Sequence, residues 1–258
     1  MTNHVFVHTP WRHIDSYLPF LIESRLQPEI AFKGPDLDAV TSKEFCSVAE
    51  TLEKHGLANT LHAPFMDLNP GALDPLVREA TARRFHQTLD AAAMLNSRLV
   101  VFHPGYDFWR YGGQNNLWIE QNLSFWPEFV SRAETMNCPI VLENIFEESP
   151  DNILSVLQHF HSSFFGACFD IGHWRLFSKQ PILHWIKTLG SYLLHLHLHD
   201  NFGSLDDHLP VGEGTIDFHP LAKQLQTLPA LPSMTLEAHD PDRILRSVRG
   251  TQSIFLLG

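Results

Sequence analysis

The stretch LHLHLHDN (194–201) places His195, His197 and His199 at every second position. In an extended strand alternate side chains point to opposite faces, so the three imidazoles share one face. A packed apolar face does not accept such a stripe. Either these are surface imidazoles, or at least one is a metal ligand. Two neighbouring stretches have ligand-like spacing. FDIGH (169–173) carries Asp170 and His173 three positions apart, so a strand end and the turn after it can offer two ligands from one place. DDH (206–208) puts Asp206 and His208 on one side of the chain if that loop is extended.

The elements that must position these residues follow a strand-then-helix alternation. The strand-like runs are HVFVHTP (4–10), PEIAFKG (28–34), NTLHAPF (59–65), RLVVFHPG (98–105), PIVLENI (139–145), FFGACFDIGH (164–173), YLLHLHLHDN (192–201) and SMTLEAHD (233–240). Most are continuous apolar runs, as expected of parallel strands covered on both faces. A helical pattern follows each. The pattern over 42–56 has Ser42 as its cap and Gly56 as its stop, and a long one is expected over 116–137. Eight such units in 258 residues predict one α/β domain over 1–258, a single (β/α)8 TIM barrel. A doubly wound open sheet would call for a glycine-rich loop after the first strand, and HTPWRHID (8–15) has no glycine.

In such a barrel the active site lies at the C-terminal ends of the strands. The first strand ends at His8, and the second carries Glu29 and ends at Lys33. The third to eighth end in His62, His103, Glu143 with Asn144, Asp170 with His173, His197 with His199 and Asp200, and Glu237 with His239. Each alone has a structural explanation as a hydrogen-bonded strand end or a helix cap. Their convergence on one rim points to a divalent metal. Imidazole and carboxylate suit zinc or manganese first, with cobalt, magnesium and iron also served by this donor set.

Composition narrows the function class. With 44% hydrophobic residues the chain is ordinary for a globular protein. No apolar run approaches the roughly 20 residues needed to span a bilayer, and the start MTNHVFVHTPW lacks a basic and then apolar leader, so a cytoplasmic protein with no membrane partner is expected. Cys46, Cys138 and Cys168 form no pair and are expected to be buried. Eighteen basic residues face 29 acidic ones, which disfavours a phosphate-neutralising surface for nucleic acid.

The ordered motifs LHAPF, FHPG, LEN, FDIGH, HLHDN, DDHLPVGEG and LEAHD resemble the xylose-isomerase-like barrel superfamily over about residues 4–245. That superfamily includes sugar and sugar-phosphate isomerases and epimerases, and endonuclease IV. In the isomerase and epimerase branch, the resemblance implies one ion held at Glu143, Asp170, His197 and Glu237, with the two glutamates as the catalytic acid/base pair acting on a proton α to a carbonyl. In the endonuclease IV branch it implies a three-zinc cluster. The matching ligands are His62, His103, Glu143, Asp170, His173, His197, Asp206, His208 and Glu237, and all nine have the right residue type. One to three ions are therefore expected.

The preferred reading is a metal-dependent isomerase or epimerase of a carbohydrate. The alternatives are an abasic-site phosphodiesterase acting on nucleic acid and a non-catalytic metal-binding barrel. Against the nuclease, KGPDLDAVT (33–41) is acidic, although Phe65 and Met66 have the bulk of a DNA wedge. Lys33, Trp109, Arg110, Trp174, Arg175 and His199 are the expected substrate contacts, since aromatic faces suit sugar C–H groups and cations suit phosphate or carboxylate. Within the histidine stripe, His197 is the expected ligand, His199 stands nearer the mouth, and His195 bonds only within the interior. A homo-oligomer is compatible with all of these readings.

Overall fold

The structure is a computed structural model that describes residues 4–228 and 230–255. Eight parallel strands close into a barrel in sequence order: β1 Val5–Pro10, β2 Gln27–Ala31, β3 Thr60–His62, β4 Val100–Phe102, β5 Ile140–Glu143, β6 Phe165–Asp170, β7 Leu193–Leu198 and β8 Ser233–Leu236. Closure is made by β1 against β8, with Val5, Phe6 and Val7 opposite Met234, Thr235 and Leu236. The predicted fold class is thus observed. Every predicted strand exists. Those from β3 to β7 are shorter than the predicted runs at both ends, and β2 and β8 at the C-terminal end, whereas β1 ends at Pro10 as predicted. His103, His199 and Glu237 therefore stand just past their strands, where backbone is free to turn into the mouth.

Alternation along the strands builds two layers. Val100, Phe102, Ile140, Leu142, Phe169, Leu196 and Leu198 are fully buried in the main core, which lies between sheet and helices. The alternate residues Leu99, Val101, Val141 and Cys168 form a separate small cluster. That cluster plugs the lower barrel interior, as side-chain layers do in this fold. The upper interior is polar and holds the site.

Three local expectations are corrected. The helix Ser42–Lys54 is capped by Thr41, whose hydroxyl accepts from Glu44 N while the Glu44 carboxylate accepts from Thr41 N, a reciprocal box that Ser42 does not make. The segment predicted as one helix over 116–137 is two, Asn115–Phe125 and Pro127–Met136. Pro127 supplies no N–H to the preceding turn, so the chain bends there. Cys46 is exposed rather than buried, because its helix turns Phe45, Val48 and Leu52 inward; Cys138 and Cys168 are buried as expected. Among the described residues no helix is long and apolar enough to cross a membrane.

Candidate metal centre

The strand ends and the loop after β7 bring all nine expected ligand residues into one cluster, in three overlapping groups; seven are buried, His208 is half-buried and Asp206 is exposed. In the first, the Nε2 atoms of His62 and His103 lie 3.1 and 3.0 Å from Glu143 Oε2. In the second, His197 Nδ1 lies 3.4 Å from Glu143 Oε2, 3.2 Å from Glu237 Oε1 and 3.8 Å from Asp170 Oδ2. In the third, His208 Nε2 and His173 Nε2 are 3.0 and 3.4 Å from Asp206 Oδ2. His199 joins the second group to the third: its Nε2 is 3.2 Å from Asp170 Oδ2 and 3.6 Å from Glu237 Oε2, and its Nδ1 is 3.7 Å from Asp206 Oδ1.

These donors fit a metal by their own chemistry. The buried Nδ1 atoms of His103, His197, His199 and His208 have no aligned hydrogen-bond partner, although carboxylates surround the cluster. Burying a polar atom without a partner costs about 1–3 kcal/mol; the orphaned Nδ1 atoms of His197, His199 and His208 each lie within 3.7 Å of a carboxylate, an arrangement that fits a cation. Burial would raise the Glu143 carboxyl, but His103 and His197 beside it outweigh that and hold it well below the usual carboxylate range. Burial would lower His208, yet Asp206, Glu237 and Asp170 push it up to about 9. Burial wins at His103, which is lowered.

Backbone carbonyls orient two of the expected ligands. A carbonyl only accepts, so a histidine nitrogen bonded to one must carry the proton. His62 Nδ1 donates to Ala63 O at 3.0 Å, leaving Nε2 for Glu143. His173 Nδ1 donates to Asn144 O at 2.9 Å, leaving Nε2 for Asp206. Asn144 also clamps Asp170 to the end of β5: its Oδ1 accepts from Asp170 N, and its Nδ2 donates to Asp170 O. The Asp170 carboxylate in turn accepts from His173 N, capping the helix Ile171–Phe177 that carries His173. The three-residue spacing in FDIGH thus works as one cap-and-ligand unit. Gly172 completes it, because a Cβ there would run into the His199 ring.

The loop after β7 is held by a residue that the sequence reading placed only at a strand end. Asp200 is fully buried and accepts from the backbone N–H groups of Asn201, Gly212, Gly214 and Ile216 at 2.9–3.2 Å. A Cβ at Gly214 would clash with Asp200 Oδ1, so the VGEG turn keeps a glycine where the carboxylate must enter. Asp206 and His208 face each other within this loop, but not through an extended segment, since His208 adopts φ +46°. The signal for Asp200 in the sequence is its position in HDN followed by a glycine-bearing turn.

The centre opens on a cavity of about 1190 Å³. His62, His103, Glu143, His173, Asp206, His208 and Glu237 line it, whereas Asp170 and His197 are fully buried and are not among its lining residues. Of the expected substrate contacts, Lys33 and Arg110 line this cavity. Trp109, Trp174, Arg175 and His199 are not among its lining residues: Trp109 is 87% exposed, the Trp174 indole donates to Gln180 O, Arg175 lies beside Gly203, and His199 is buried among carboxylates. Phe32 and Leu73, which the sequence reading did not assign, line the cavity with Phe65 and Met66, which that reading gave the bulk of a DNA wedge. His195 bonds only inside the barrel, to Ser233, Thr235 and Glu29.

Comparison with known proteins places this geometry in a wider set. A family model described as "Xylose isomerase-like TIM barrel" matches residues 28–253. An uncharacterised protein of Methanocaldococcus jannaschii is 29% identical over 196 residues, which are 73% of this chain and 67% of that protein. Among solved structures, a D-tagatose 3-epimerase-like protein superposes with a TM-score of 0.81 at 26% identity, covering 97% of this chain and 95% of the other. A Thermus thermophilus protein soaked with zinc chloride also gives 0.81, at 27% identity and 99% coverage of both chains.

Proposed function

The chain belongs to the xylose isomerase-like TIM barrel family, and on that footing we propose that it is a divalent-metal-dependent isomerase or epimerase of a sugar or sugar phosphate. One observation carries the reading. Glu143 and Glu237 approach the same nitrogen, His197 Nδ1, at 3.4 and 3.2 Å, and both line the cavity. Two carboxylates are thereby presented to whatever occupies the centre. Glu143, Asp170, His197 and Glu237 would hold the ion, zinc or manganese by their donor types. When bound, such an ion polarises a carbonyl and an adjacent hydroxyl and acidifies the carbon-bound proton between them.

The chain's own groups do the proton transfer. One glutamate removes the proton α to the carbonyl, and the other returns one to the opposite face or the neighbouring carbon. The neighbours of Glu143 keep it ionised, as a base requires. Lys33 and Arg110, on the cavity wall, would meet a phosphate or carboxylate of the substrate. The similarity to a D-tagatose 3-epimerase-like protein supports a carbohydrate substrate, and a cytoplasmic site of action suits such chemistry. The test is a ketose panel in deuterated water with the metal-loaded protein. Deuterium incorporated α to the carbonyl, lost in Glu237→Gln, is the expected outcome. Absence of exchange across the panel with metal bound would overturn the reading.

A specific observation favours a second reading. His62 and His103 pack on Glu143, and His173 and His208 pack on Asp206, beyond what a one-ion site needs. The enlarged donor set suits phosphodiester hydrolysis at abasic sites in nucleic acid. Cleavage of an abasic-site duplex, lost in Glu237→Ala, would establish it in place of the first.

A further inference from the structure

Glu29 lies on β2 and reaches across the barrel interior to β7 and β8. It is fully buried and takes no part in the ligand sets described above. Its Oε2 accepts from the Thr60 hydroxyl at 3.0 Å and the Thr235 hydroxyl at 2.8 Å, and lies 3.1 Å from His195 Nε2. Its other oxygen, Oε1, accepts an aligned hydrogen bond from no described group. That oxygen stands 3.0 Å from His197 Nε2, off the line of a well-aligned hydrogen bond. The opposite nitrogen of the same ring, Nδ1, faces Glu143, Glu237 and Asp170.

We propose that Glu29 is a positioning residue for His197: its carboxylate holds the proton on Nε2, so that Nδ1 is presented unprotonated to the metal, with Thr60, Thr235 and His195 anchoring the carboxylate. The inference rests on His197 being a ligand, as in the reading above. It adds a charge difference between ligands. His62 and His173 are oriented by neutral carbonyls, whereas the partner of His197 is a carboxylate. A carboxylate behind a ligating imidazole fixes its tautomer and makes it the more basic donor. Glu29 is fully buried, so its charge needs a full set of donors, and the two threonines and His195 supply three.

The experiment measures zinc binding and the ring's protonation, not turnover. Zinc content per chain and affinity under chelator competition are compared in the wild type and Glu29→Gln, which keeps size and an acceptor oxygen but removes the charge. Folding is checked by circular dichroism. A loss of about 10–100-fold in affinity is expected. Nitrogen NMR of the His197 ring in the zinc-loaded wild type should show Nε2 protonated and Nδ1 ligated, a result that needs no variant to fold. Wild-type affinity in folded Glu29→Gln, or a His197 ring protonated on Nδ1, overturns the positioning role while leaving the metal site standing. A wild type that binds no zinc overturns both it and the ligand assignment.

Discussion

His62 Nε2 and His103 Nε2 stand 3.2 Å apart, and both lie within 3.1 Å of one oxygen, Glu143 Oε2. Two imidazole nitrogens converge this closely on one carboxylate oxygen when a cation or a shared proton belongs among them. The first prediction follows. If a cation beyond the one at Glu143, Asp170, His197 and Glu237 is shared there, His103→Ala lowers bound zinc by one ion per chain, measured by elemental analysis after desalting; an unchanged zinc content assigns the contact to a proton. If proton transfer needs only Glu143, Asp170, His197 and Glu237, exchange at the α carbon stays within about tenfold of wild type, well inside the roughly 10²–10⁴ expected from losing an acid/base group. A hydrolase that depends on the whole cluster would lose its activity in the same variant.

Zinc affinity should rise with pH. A protonated imidazole cannot ligate, so metal binding releases the proton. His208 is held at about 9 by Asp206, Glu237 and Asp170 against the lowering effect of burial. Its unprotonated fraction therefore grows steeply between pH 7 and 9, reaches half at about 9 and levels only well above that. Competition titrations at several pH values should show affinity climbing over that window. His208→Asn should remove part of the slope. A flat profile between 7 and 9 would refute the assignment of His208 as a ligand.

Asp200→Ala should damage the centre from a distance. The substitution strips the acceptor from four backbone N–H groups of the loop that carries Asp206 and His208. Breaking a buried network of this kind costs about 3 kcal/mol or more. Thermal unfolding should fall accordingly, and zinc stoichiometry should drop although Asp200 is not a ligand. Asp200→Asn keeps one acceptor oxygen and should fall between the two.

Glu147 carries a pH-dependent cost. Its side chain is buried, and desolvation outweighs the Ile145 backbone N–H to push the carboxyl up from 4.5 to about 7. Below pH 4.5 the group is protonated folded and unfolded, so it costs nothing. As pH rises from there the unfolded chain releases its proton first, and stability declines until about pH 7. The full penalty above that is of order 3 kcal/mol. Glu147→Gln should therefore gain on wild type steadily between pH 4.5 and 7 in denaturant titrations, and hold its gain at pH 8. Equal stability at both ends would remove Glu147 from this account.

The barrel was legible in the sequence from local pattern, and the candidate site from strand-end positions together with the family resemblance. Continuous apolar runs of strand length, each trailed by a 3.6-period helix, admit few architectures. Parallel strands in a closed barrel bring every C-terminal end to one rim, so residues such as His62, His103, Glu143 and Glu237 could be grouped by their place at a strand end alone. What the sequence could not determine is which atoms meet across the interior. Glu29 reads as a polar residue in a mostly apolar strand, yet its partner His195 is 166 positions away. The nitrogen that His197 offers, the carboxylate behind it, and the anchoring of the Asp206–His208 loop by Asp200 all depend on contacts made only when the sheet closes. The same holds for the rim: Lys33 and Arg110 face the cavity while Trp109 and Arg175 do not, because loop conformation, not loop composition, aims a side chain. Periodicity determines which face of a strand a residue occupies; only packing decides what stands opposite it.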